Sequence, residues 1–171
     1  MPNVQKILYA TDLSPNSTYV LHYAMDAAIR YEADIVILHV FEQFPAASSV
    51  STNLHFDSAQ REEIFNDHVA KAREILKKRL DMLCGKEFKD YPDCADNVKS
   101  IDVCEGFPAE EILNKAVELN CDLIIMGTHG KGILAHPFLG STAKRVLRRT
   151  RKPVFIVPLP KEKAEGDFVD I

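Results

Sequence analysis

The chain has 171 residues, 46% hydrophobic and 27% charged, with a net charge of −4. That balance describes one ordinary globular domain and excludes an intrinsically disordered chain. A net negative charge argues against a general nucleic-acid binder, and the apolar runs are too short to span a bilayer.

The start, Met1-Pro2-Asn3-Val4-Gln5-Lys6, leads straight into a strand and has no secretory apolar region. The four cysteines, Cys84, Cys94, Cys104 and Cys121, show no CxxC spacing, so neither a zinc ribbon nor a redox motif is supported. Cys104 and Cys121 fall in strand-like surroundings and read as buried thiols. The default expectation is a reducing, cytoplasmic location without membrane or nucleic-acid partners.

In chain order, Lys6 to Thr11 is a short run rich in strand formers. Ser14-Pro15 then predicts a helix start, with serine as cap and proline at the first helical position. Val20, Ala24, Ala27, Ala28 and Tyr31 recur at helical spacing. The near-continuous apolar run Asp34 to Phe41 fits a strand buried on both faces of a parallel sheet. Residues Glu42 to Asp57 carry prolines, alanines and serines without a period and read as a mobile loop.

From Ser58 a long helix is expected, with Phe65, Val69, Ala72, Leu76, Leu80 and Leu83 in one apolar stripe and Gly85 as its stop. Val98 to Cys104 alternates, as an edge strand does. Glu105-Gly106-Phe107-Pro108 turns the chain into a helix carrying Ile112, Leu113, Ala116 and Val117. Asp122 to Met126 is the next strand, and a helix-like run starts near Ala143. Lys152 to Pro158 is a last short strand, whose bracketing prolines favour a sheet edge. The polar tail from Lys161 to Ile171 reads as frayed, leaving residues 1–160 as the domain and 161–171 as an appendage. This alternation predicts an α/β fold, a parallel sheet with helices on both faces.

The chemistry concentrates at Gly127-Thr128-His129-Gly130 and Gly140-Ser141-Thr142. Glycine loops between a strand and a helix let the backbone approach an anion, and the amides of the next helix point at it. The alternative is two ordinary turns between core elements. In open parallel sheets ligands bind beyond the carboxyl ends of the strands, where strand order reverses. If the first and fourth strands are neighbours there, Thr11-Asp12 and Gly127 share one crevice. Asp12 also has the simpler option of capping the first helix or its turn. The basic run Lys144, Arg145, Arg148, Arg149, Arg151, Lys152 reads as a solvated face that complements the helix C-terminus. The six histidines show no metal spacing.

Gly127-x2-Gly130-x9-Gly140-Ser141 resembles the glycine motif of nucleotide-binding universal stress proteins. Three further segments are similar to that family: Lys6 to Ser14, Leu38-His39-Val40, and Gly106 to Ile112. Together they lie within roughly residues 4 to 158. The resemblance implies a Rossmann-like sheet of the adenine nucleotide alpha hydrolase type, five strands in the order 3-2-1-4-5. It implies ATP or AMP as ligand, with magnesium carried by the phosphates, and no dedicated metal site. Asp12 would contact the ribose or the base-proximal part of the nucleotide, Ala10 and Thr11 would line that wall, and the main chain of Val40 would read the adenine edge. Met126 and Gly127 would flank the ribose, and His129, Gly130, Gly140, Ser141 and Thr142 the phosphates. Residue 10 is alanine where relatives often carry proline, and residue 129 is histidine where arginine or serine is common. A homodimer through the last strand, Val154, Phe155, Ile156 and Val157, is also implied.

The expected function is a stress-responsive sensor or regulator that binds adenine nucleotide. The chain has no GxxxxGK[ST] lysine, so catalysis is at most slow ATP hydrolysis. A slow ATPase or autophosphorylating enzyme and a nucleotide-free dimeric adaptor are the alternatives.

Overall fold

Strands that are apolar at every position need cover on both faces, and this chain supplies it. In the computed structural model, β1 (Lys6–Thr11), β2 (Asp34–Glu42), β3 (Val98–Gly106), β4 (Leu123–Gly127) and β5 (Val154–Val157) form one sheet. The order is β3-β2-β1-β4-β5, and every pairing is parallel. The structure describes residues 3–42, 58–128 and 139–158. The loop expected over 42–57 and the tail expected over 161–171 therefore lie almost wholly outside the described residues.

Alternate side chains divide the core into two layers. Ile7, Tyr9, Ile35, Ile37 and Ile125 pack against α1 (Ser17–Tyr31) and α2 (Ser58–Lys86). Leu8, Ala10, Val36, Leu38, Ile124 and Met126 pack against α3 (Pro108–Glu118) and α4 (Ser141–Arg149). β3 and β5 are the edges, as alternation and flanking prolines imply. No described helix is long and apolar enough to cross a membrane.

Several local expectations change. The first helix begins at Ser17, not at Ser14-Pro15. The Ser14 hydroxyl donates to Asp12 Oδ1 at 2.8 Å, and the chain makes tight turns, Ser17 N donating to Ser14 O and Thr18 N to Pro15 O, before the helix begins. Gly85 does not stop α2, which runs on to Lys86; Glu87 N donates to Leu83 O at 2.9 Å and closes the last turn. Tyr31 is 54% exposed and Val117 67%, because each sits in the last turn of its helix, at the rim of the covered stripe. The basic residues of α4 face solvent, and Arg149 pairs with Glu110 of α3.

Cys84 and Cys94 form a disulfide, with Cα atoms 5.9 Å apart. It joins the end of α2 to the 3-10 turn Cys94–Asn97 before β3. Spacing alone did not signal it, and such bonds are commonest in oxidising compartments. Cys121 is buried and Cys104 half-buried, both as free thiols. Burial pushes both thiol pKa values up, which keeps them protonated and unreactive.

Candidate functional site

The N-terminal ends of the central strands are tied shut. Asp122 Oδ2 accepts the amides of Gln5 and Lys6 at 2.9 and 3.0 Å, and Asp34 N donates to Gln5 O. The opposite ends are where the sheet reverses, since β1 has β2 on one side and β4 on the other. Ala10 is paired with Met126 and Thr11 with His39. One step on, Asp12, Val40 and Gly127 emerge together at the carboxyl edge. Ala10, Thr11 and Met126 are buried there, and Asp12, Val40 and Gly127 are half-buried.

The glycine segment closes on itself. Thr128 N donates to Val157 O at 3.1 Å, and Gly140 N donates to Thr128 O at 2.7 Å. This second bond brings the start of α4 to the end of β4. Gly140 is the extended N-cap of α4, and no side chain caps the helix. The first amides of a helix have no intrahelical acceptor. Those at Ser141 and Thr142 thus lack an intrahelical acceptor at the end of β4 where α4 begins. His129 and Gly130, both expected here, lie outside the described residues.

Asp12 is held by a local turn. Its Oδ1 accepts from the amide and the hydroxyl of Ser14, at 3.0 and 2.8 Å. Leu13 between them has φ +63, a left-handed conformation that costs a residue with a Cβ roughly 1–2 kcal/mol. Its amide donates to Thr11 Oγ1 at 3.2 Å. Asp12 Oδ2 is buried and has no hydrogen-bond partner among the described residues. An acceptor left bare in this way costs free energy until something donates to it. The aspartate therefore caps the turn before the first helix with one oxygen, and the other has no donor among the described residues.

Four further residues that the sequence did not nominate for the site lie near these strand ends. The Tyr9 hydroxyl donates to Ser17 O at 2.7 Å, and burial pushes its pKa up to about 12. His39 donates through Nδ1 to Thr11 O at 2.9 Å. Arg79 of α2 donates to Ser17 Oγ at 2.7 Å and to Leu13 O at 3.1 Å. His68 stacks on Phe41 with ring centroids 4.4 Å apart, and its buried Nδ1 has no partner among the described residues. Arg79 carried a readable signal. It lies three residues after Leu76 and four before Leu83, inside the apolar stripe of α2, where a charge needs a reason.

Chemically, the strand ends offer an unpaired carboxylate oxygen on one side and helix amides on the other. That suits a ligand with a hydroxyl or amine at one end and an anion at the other. No group of three or more histidine, cysteine or acidic side chains able to hold a metal occurs among the described residues. An open groove between α2 and β3 is less suited to an anion, since Arg73, Lys77 and Lys99 share it with Asp81 and Asp102.

The model of the universal stress protein family matches residues 3–158. The chain belongs to the universal stress protein family. A universal stress protein of Methanocaldococcus jannaschii, MJ0577, is 31% identical over 157 residues, covering 90% of this chain and 94% of that protein. Its solved structure superposes with a TM-score of 0.68, 92% of this chain on 98% of that one, at 26% identity. A Thermus aquaticus universal stress protein is 43% identical over 155 residues, covering 88% of this chain and 96% of its own length. A universal stress protein solved in complex with cAMP shares the fold, with a TM-score of 0.58 at 20% identity over 92% of this chain and 98% of that one. The five-stranded order with β1 and β4 adjacent is thus the architecture of universal stress proteins.

Proposed function

We propose that this universal stress protein binds an adenine nucleotide, ATP or AMP, across the carboxyl ends of β1, β2 and β4, and acts as a sensor or regulator. The observation that carries the reading is the buried Asp12 Oδ2, an acceptor without a donor among the described residues, at the point where strand order reverses. A ribose hydroxyl is a donor of the right kind. Ala10, Thr11 and the main chain of Val40 would hold the base side. Met126 and Gly127 would flank the sugar, and Gly140, Ser141 and Thr142 would donate to the phosphates, joined by His129 and Gly130. Magnesium would be carried by the phosphates. A fold shared with a cAMP-bound relative supports the ligand class. The cytoplasm, rich in such ligands, is the location this reading implies, and cell fractionation tests it.

Saturating ATP or AMP is expected to stabilise the folded protein, by about 2.7 kcal/mol at a hundred times the Kd. Asp12→Ala should weaken binding about 30-fold, the loss of one hydrogen bond to a charged group. Thermal shift and calorimetry read both. No stabilisation by any adenine nucleotide, or an Asp12→Ala variant that binds as well as wild type, would refute the reading.

The same reading includes a homodimer through β5. Its outer edge is free of sheet partners among the described residues, and such an edge invites pairing. Phe155 is 43% exposed and makes an edge contact with Tyr23, which contacts Tyr19 in turn. Phe155→Lys is expected to raise the dimer dissociation constant at least about tenfold, by burying a charge at the seam. Sedimentation equilibrium would show this, and an unchanged dissociation constant would remove β5 from the interface.

A further inference from the structure

The turn that presents Asp12 is held from outside its own segment. Leu13 is left-handed, so its peptide groups must be over-determined by their surroundings. The amide side is tied to Thr11 Oγ1. The carbonyl side is tied to Arg79, which reaches across from α2, 66 residues away in sequence. The other arm of the same guanidinium donates to Ser17 Oγ, and that hydroxyl donates onward to Ser14 O at 2.7 Å. One planar fork therefore grips both ends of the segment that contains Ser14, the residue bonded to Asp12 Oδ1.

Both Arg79 bonds go to neutral oxygens, so the half-buried guanidinium keeps its charge behind the turn. Burial works against that charge and pulls the guanidinium pKa down, while the nearby Asp12 carboxylate favours it. A lysine would not substitute, since a point-like ammonium has no fixed fork to span a carbonyl and a hydroxyl.

We infer that Arg79 is a positioning residue of the nucleotide site. Through the Leu13 carbonyl and the Ser17 hydroxyl it holds the turn over residues 12–14 in the form that leaves Asp12 Oδ2 open to the ligand. Arg79 need not touch the nucleotide. This inference rests on the nucleotide reading above.

The test is a double-mutant cycle on the full chain, with ATP affinity measured by calorimetry for wild type, Arg79→Met, Asp12→Ala and the double variant. Arg79→Met is expected to weaken ATP binding about tenfold in the wild-type background and less than about twofold when Asp12 is already alanine. Arg79→Lys should recover little of the loss. Hydrogen exchange of the ligand-free protein should speed up at the amides of Leu13, Ser14 and Ser17 in Arg79→Met, with those of α4 and β5 unchanged. Should Arg79→Met not fold, Ser17→Ala removes one of the two grip points and is expected to give a smaller loss with the same dependence on Asp12. Equal losses in both backgrounds, or no loss at all, would overturn the role of Arg79 while leaving the nucleotide site intact. Failure of the wild type to bind ATP would overturn the site itself and this inference with it.

Discussion

Ile125→Ala is expected to destabilise the protein by about 4 kcal/mol, the cost of deleting a fully buried branched side chain from a site that cannot collapse. Ile125 has no exposed surface. It lies on β4, paired with Tyr9 on one side and with Phe155 on the other, so two ladders hold its backbone in place. Its side chain belongs to the layer under α1 and α2, while its neighbours Ile124 and Met126 belong to the opposite layer. Moving the strand to fill a cavity on one face would open a gap on the other. Native stabilities run at about 5–15 kcal/mol, so this one change removes a large share and should lower Tm by roughly 10 °C. Ile64→Ala on α2, 42% exposed, is the control and should cost about 0.5 kcal/mol. Urea titrations would compare them. A cost below about 1 kcal/mol at Ile125 would mean that β4 does not sit between two packed layers.

The second large effect is a loss of stability in alkali. Tyr9 is buried, and its phenol pKa is pushed up to about 12 from an unfolded value of 10.0. Burial is the main cause; the hydrogen bonds with Thr11 and Ser17 and the charge of Arg79 pull the other way. The folded state therefore favours the neutral phenol. Its contribution is fully present below pH 10 and is lost as the pH rises through 12, because the unfolded chain releases the proton first. Two units correspond to about 3 kcal/mol. Tyr9→Phe should cost about 1 kcal/mol near neutrality, where the bond to Ser17 O is lost. Above about pH 11 it should become the more stable protein, once wild type has lost more than that difference. Denaturation midpoints for both proteins at several pH values give the difference directly. Curves that stay parallel above pH 10 would show that the phenol is not the group responsible.

The two tests bear on one question, how a sheet buried on both faces positions a turn at its edge. Stability comes from the middle of β1 and β4. The candidate site uses the first residues beyond them, where backbone groups leave the ladder and side chains take over. Asp12 illustrates the division. Its place after Thr11 follows from the strand, but its bare Oδ2 follows from the Ser14 contacts and the left-handed Leu13.

The sequence by itself determined what depends on local pattern. Period-two and near-continuous apolar runs specified the strands, the 3.6-residue stripe of α2 specified its buried face, and the prolines around Val154 to Val157 specified an edge. The glycine spacing from 127 to 140 marked a strand–loop–helix crossing, since glycine is required wherever backbone must approach closely. What the tertiary structure alone decided depends on partners far apart in the chain. The Cys84–Cys94 bond needs the end of α2 and the next turn to arrive 5.9 Å apart, which no spacing rule states. Ser14 is not the cap because the helix starts three residues later, at Ser17, and the Ser14 hydroxyl donates to Asp12. Arg79 is a charge within the apolar stripe of α2, and its bonds to Leu13 O and Ser17 Oγ exist only once folding brings them within reach. Local propensity sets which elements form; a hydrogen bond across 66 residues exists only once those elements have packed.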